Sequence, residues 1–258
     1  MLDIQWKGKI GYGDIVSPIC YAHNISYKLK IPVNLTFRWD HGYGRKVHPS
    51  DPEQLWLRAQ HIFHKCLKKN TRVNLENKFH DPLDCNHTGY VWEDVADDKF
   101  HNFWVSTYIK KARQGTIVVN STEGNLVSLA EYGKSWKDPV AENWKNVVAE
   151  LRKKYKIILV DYRTPTHYLC EVLNECEGFI GYHGTAAWVA KFLEIPSVIY
   201  SSGGTITKNS FHSAIVINRY KGTQHLLDNL ESYIQKARIN ISEDREAYKK
   251  YMPKFKVL

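Results

Sequence analysis

The sequence is defined first by what it lacks. No apolar run approaches the roughly 20 residues of a membrane-spanning helix. Met1-Leu2-Asp3 leads directly into a strand-like stretch, so no signal peptide is expected and the chain is assigned to a cytoplasm (that of the host, if the gene is viral). The 5 cysteines (Cys20, Cys66, Cys85, Cys170 and Cys176) are odd in number and include no CxxC pair, which argues against a disulfide framework and a structural zinc site. His80, Asp81, Asp84, Cys85 and His87 lie close together but lack a metal-ligand spacing, so no metal is expected. There is no internal repeat, no low-complexity tract and no basic run longer than Arg152-Lys153-Lys154, which fits a solvated helix end as well as a polyanion contact.

What is present is ordinary for a globular chain: 258 residues, 43% hydrophobic and 24% charged. The charge is not ordinary. A net +9 favours polyanionic partners, whether nucleic acid, anionic head groups or phosphorylated sugars.

Apolar periodicity divides the chain into alternating strands and helices. Ile4–Lys9 reads as a strand, 15–29 as a helix with Ile15, Ile19, Ala22, Ile25 and Leu29 on one face, and Val33–Trp39 as a second strand. Residues 51–69 read as a helix and 71–75 as a strand, while 78–98, rich in His, Asp, Asn and Pro, reads as loop with at most short strands. A helix around 102–113 ends before Gly115. Beyond it come strand 116–120, helix 139–155, buried-type strand 156–161, helix 167–176, strand 178–181, helix 186–193, strands 197–200 and 214–217, and helix from 222 onward. Such alternation implies parallel sheets flanked by helices, hence an α/β fold of two Rossmann-like β/α/β domains with ligands at the carboxyl ends of strands. The domains are placed at 1–114 and 115–240, with 241–258 a C-terminal helix returning towards the first.

Three stretches carry candidate chemistry. In Gly11-Tyr12-Gly13-Asp14 the glycines let the backbone approach a ligand, and Asp14 is either a helix N-cap or a carboxylate able to take a proton from an acceptor hydroxyl. In Gly133-Lys134-Ser135-Trp136-Lys137-Asp138-Pro139, Lys134 is either a surface lysine or a point charge against phosphate. In GFIGYHGTAAWVAKFLEIPSVIY, residues 178–200, a strand breaks at a glycine turn into a helix. This is either a plain β-α-β unit or a diphosphate cradle, because the first amides of a helix are unpaired donors at its positive end.

The order and spacing of these three stretches resemble glycosyltransferase family 9, the heptosyltransferase-like enzymes of the GT-B fold. The resemblance rests on KIGYGDIVSP (9–18), GKSWKDP (133–139) and FIGYHGTAAWVAKFLEIP (179–196), and covers residues 1–40 and 115–220. It implies a GT-B arrangement with an interdomain cleft, and an inverting, metal-independent glycosyl transfer without a cofactor. By position, Asp14 matches the family's catalytic carboxylate, Lys134 its donor-side lysine, and Gly184, Thr185 and Ala186 the turn whose amides hold the donor diphosphate. His183, Ser201 and Ser202 lie beside that turn as further donor contacts, whereas Tyr182, His183 and Ala187 stand where the family has Asp, Thr and His.

Acceptor contacts are placed on Gly11, Tyr12 and Gly13 and on the loop with His41, Tyr43, Arg45, Lys46 and His48. The expected reaction moves a sugar, glucose or a pentose such as arabinose, from a UDP-type nucleotide sugar to a hydroxymethylated pyrimidine such as hydroxymethylcytosine in DNA, as in phage DNA modification. The alternatives are a heptosyltransferase-like enzyme acting on a lipopolysaccharide core or other glycan, and a non-catalytic nucleotide-sugar-binding module. The chain is expected to act as a monomer.

Overall fold

In the computed structural model of the chain, the residues described are 1–8, 18, 19, 22, 23, 25, 26, 29–39, 72–82, 113–120, 144–161, 164–182, 184–201, 211, 213–218 and 224–251. The chain is mixed α/β with parallel sheets and divides into two compact units, residues 1–107 with 245–258, and residues 108–244.

The first unit contains a parallel sheet of β1 (Leu2–Gly8), β2 (Val33–Trp39) and β3 (Val73–Pro82) in the order β1-β2-β3. The described residues of the 18–29 stretch that links β1 to β2 are helical. Ile19, Ala22 and Ile25 are buried, as are Val33, Leu35 and Phe37 on alternate positions of β2, so the helical and two-residue periods each mark the buried face of their segment. Ser26 on that stretch accepts the amide of Arg72 at 2.8 Å, which ties it to the lead-in of β3. On the opposite face the rows are polar. Asn34 donates to Asp3 at 2.7 Å and Thr36 to Glu76 at 3.1 Å, both between residues in register.

β3 runs through Pro82, into a stretch whose sequence reads as loop with at most short strands. Its polar composition fits the place it takes. Among the described strands it has β2 on one side only, its pairing shifts register between Arg38 and Trp39, and the proline closes it.

The second unit is a doubly wound sheet. Its strands are β4 (Thr116–Asn120), β5 (Lys156–Val160), β6 (Gly178–Tyr182), β7 (Ser197–Ser201) and β8 (Ile215–Asn218). All are parallel, in the order β5-β4-β6-β7-β8. The connecting helices are α1 (Trp144–Arg152), α2 (Thr166–Asn174) and α3 (Thr185–Phe192), and α4 (Gln224–Tyr251) follows β8. α4 continues without a break through 240 and 241, where the sequence reading had divided it.

From β4 the chain steps to β5 on one side, then crosses back to β6 and on to β7. Right-handed crossovers therefore place α1 on one face and α2 and α3 on the other. The packing agrees. Ile117, Val119, Ile180, Tyr182, Val198, Tyr200 and Ile217 form one core with Val147, Val148 and Leu151 of α1 and Leu226, Leu230 and Ile234 of α4. The alternate residues Val118, Phe179 and Ile199 are also fully buried, on the face where α3 packs on β6 and β7 and against α2.

The inner strands are covered on both sides, which is why TIVVN, GFIGY and SVIYS read as near-continuous apolar runs. The sequence reads β5 as the same type, but it is only partly buried along most of its length, because it lies at the end of the order of the described strands. α3 is buried from Ala186 to Phe192 on every side, as expected for a helix without a polar stripe. Its one charge, Lys191, is 8% exposed and lies 5.0 Å from the Trp188 ring centre and 5.7 Å from that of Phe211.

Candidate functional site: the start of α3 at the strand-order reversal

Neighbouring strands β4 and β6 are where the winding of the second unit reverses. The chain leaves β4 for α1 on one face and leaves β6 for α3 on the other. The two exits diverge at the carboxyl edge, the position at which doubly wound sheets take their ligands.

At that edge β6 runs through Tyr182, and Gly184 is the N-cap of α3 with φ 175° and ψ −169°. This backbone is extended, so glycine is not required for its conformation. Nor is it required by packing among the described residues, none of which has an atom within 4 Å of a Cβ built on Gly184. The two glycines of β6 behave differently. A Cβ on Gly178 would lie 2.5 Å from Cδ1 of Ile234, and one on Gly181 would lie 2.5 Å from Cζ of Phe179 and 2.8 Å from Cβ of Asn120. A methyl at Gly178 or Gly181 would crowd the core, whereas at Gly184 no atom of the described residues stands where a side chain would be.

The first ladder bond of α3 runs from the Trp188 amide to the Gly184 carbonyl at 3.1 Å. The amides of Thr185, Ala186 and Ala187 precede it and have no acceptor within the helix. Among the described residues no side chain caps this end, and no acidic residue occupies the first turn. Unpaired donors at the positive end of a helix can receive an anion.

Of the residues singled out from sequence, Gly184, Thr185 and Ala186 form this start of α3, and Ser201 ends β7 on the adjacent strand at the same edge. Asp14, Lys134, His183, Ser202, Gly11, Tyr12, Gly13, His41, Tyr43, Arg45, Lys46 and His48 lie outside the described residues.

Tyr182, standing where the resembling family has an acid, is 2% exposed and belongs to the core facing α1 and α4. Strand alternation points it away from the face that carries α3. Its ring centre lies 6.3 Å from that of Tyr200, its in-register neighbour. Burial raises the pKa of the Tyr200 hydroxyl, with Tyr182 and Tyr233 adding to the effect, so it is protonated at neutral pH. Ala187, at the family's histidine position, is fully buried.

Asn120 was not singled out from sequence. It is the last residue of β4 and partly buried, a polar residue closing the apolar run TIVVN. That polar ending was the available signal, and its meaning depends on which strand lies beside it. Among the described residues, no group of three or more His, Cys, Asp or Glu is placed to hold a metal ion.

No family model, curated protein or solved structure matches the chain. No helix among the described residues is long and apolar enough to cross a membrane.

Proposed function

We propose that the chain is an inverting glycosyltransferase of the GT-B type whose second unit binds a nucleotide-diphosphate sugar at the start of α3. The observation that carries this reading is Gly184. Among the described residues, neither backbone nor packing requires a glycine there and no side chain caps the helix start, which lies beside the strand-order reversal. A diphosphate that approaches the amides of Thr185 and Ala186 needs that space, and the helix dipole favours its charge.

In the proposed reaction Asp14 takes the proton from an acceptor hydroxyl, whose oxygen attacks the anomeric carbon of the sugar. The bond from that carbon to the diphosphate oxygen breaks, and the nucleoside diphosphate leaves with its added negative charge held by the α3 amides and Lys134. The acceptor is a hydroxymethylated pyrimidine in DNA, which the net charge of +9 supports. Reaching a base in a duplex requires its extrusion, at about a few kcal/mol.

Mass spectrometry of hydroxymethylcytosine DNA incubated with the protein and a panel of nucleotide sugars tests this. A sugar-sized mass gain with one donor, lost in Asp14→Asn while donor binding is retained, is the expected result. No gain with any donor overturns the DNA acceptor, and failure to bind any nucleotide sugar overturns the enzyme reading itself.

A further inference from the structure

The parallel sheet of the first unit sorts charge along its strands. Val33, Leu35 and Phe37 mark its buried face, so the alternate positions of β2 and their in-register partners make up the other. Three cross-strand rows follow one another there from the amino ends towards the carboxyl ends. They are Asp3, Asn34 and Asn74, then Gln5, Thr36 and Glu76, then Lys7, Arg38 and Lys78. In the first two rows the acids are held within the sheet, Asp3 by the Asn34 carboxamide at 2.7 Å and Glu76 by the Thr36 hydroxyl at 3.1 Å. Asp3, Asn74 and Glu76 are exposed and Asn34 and Thr36 half-buried, so this part of the face is open to solvent among the described residues. The third row is basic at every position.

Its members come from three separate strands, and no basic run in the sequence announces them. Strand adjacency assembles the row. Neighbouring strands lie about 4.8 Å apart, so the positions span about 10 Å. Like charges directly opposite one another in a sheet are destabilising, and an anion laid across the row converts that repulsion into attraction. The row also stands towards the carboxyl ends of parallel strands, the edge at which α/β sheets take ligands. A line of separate charges suits an extended polyanion. A DNA duplex carries about one charge per 1.7 Å of axis, enough to set a phosphate against each position.

We infer that Lys7, Arg38 and Lys78 form a phosphate-contacting row for the backbone of duplex DNA. This rests on the DNA-acceptor reading and gives it a surface. Contacts of this kind fix where the duplex lies and carry no sequence information, so the row holds DNA whether or not its pyrimidines are modified.

Fluorescence anisotropy with a labelled mixed-sequence duplex, repeated over a KCl series, tests the row. Lys7→Thr, Arg38→Thr and Lys78→Thr are each expected to lower the slope of log affinity against log salt by about 0.9, one phosphate contact apiece. Threonine suits a strand, so these variants are expected to melt cooperatively. Arg38→Lys keeps the charge and is expected to keep the slope. The weakening should be the same for cytosine and hydroxymethylcytosine duplexes. Lys153→Thr removes an exposed lysine of the second unit and is expected to leave the slope at its wild-type value. Wild-type slopes in all the single variants of the row, or an equal fall in Lys153→Thr, overturn the inference and leave the DNA acceptor standing. Failure of the wild-type protein to bind the duplex at low salt overturns both.

Discussion

The carboxylate of Glu177 holds the guanidinium of Arg238 at 2.7 Å, joining residues 61 apart in sequence. Its other oxygen accepts the amide of Gly115 at 2.7 Å, and its own amide donates to the Thr116 carbonyl at 2.8 Å. One side chain therefore connects the entry to β4, the entry to β6 and the middle of α4. Gly115 sits at φ +75°, a conformation that disfavours any side chain, so the turn and the carboxylate that reads its amide form one device. Arg113 adds a second link, donating its amide to the Glu175 carbonyl and pairing with the Glu175 carboxylate, each at 2.8 Å.

Glu177→Ala is expected to lower unfolding stability by about 2 kcal/mol, because it removes hydrogen bonds to a partly buried charge. Urea titration measures it. The Gly115 amide and then Arg238 hold the Glu177 carboxyl below its ordinary value of 4.5, with partial burial opposing them. A lowered folded pKa gives stability that is present above the ordinary value and lost as pH falls through the folded one. Wild-type stability should accordingly drop more steeply between about pH 5 and pH 3 than that of Glu177→Gln. Parallel curves would show that the carboxylate charge contributes nothing.

Gly184→Ala separates function from folding. Its extended backbone and the empty space around it predict a melting temperature equal to wild type or slightly raised, since alanine has less freedom to lose than glycine. Nucleoside diphosphate affinity is expected to fall by at least about 10-fold, because the new methyl occupies the approach to the α3 amides. Unchanged affinity would remove the main support for the proposed donor site.

Gly178 makes the opposite prediction. Alanine there is expected to destabilise the second unit by about 1–3 kcal/mol by overpacking against Ile234. Ile234→Val removes the Cδ1 atom that lies 2.5 Å from the added methyl. The double variant should recover part of the loss, and a denaturation double-mutant cycle measures the coupling.

Glu194 ends α3 at φ +53°, with its amide bonded to the Lys191 carbonyl at 2.9 Å and the Ile195 amide to that of Ala190 at 2.9 Å. This is the bonding of a helix terminus at which glycine is the usual residue. Glu194→Gly should stabilise the protein by about 0.5 kcal/mol, the relief of left-handed strain less the added freedom of the unfolded chain. Thermal denaturation at neutral pH tests the sign.

The sequence by itself determined most of the elements, because period-two and helical spacing report directly which residues are hidden from water. β2 spans the residues expected, as does β4, and Ile19, Ala22 and Ile25 are buried as the helical spacing predicts. It also marked Gly184, Thr185 and Ala186 as a turn into a helix. It did not reveal that β3 continues through 78–82, since a strand with one described neighbour needs few apolar residues. Nor did it reveal that the glycines of residues 178–184 do different work. A methyl at Gly178 or Gly181 would crowd Ile234, or Phe179 and Asn120, partners that strand order and helix return bring together, whereas at Gly184 it would meet nothing in the described fold. Only the tertiary structure put Asn120 beside Gly181 and turned Tyr182 into the core. Strand adjacency arises from long-range hydrogen bonding and burial, and a one-residue alternation decides which face each side chain takes.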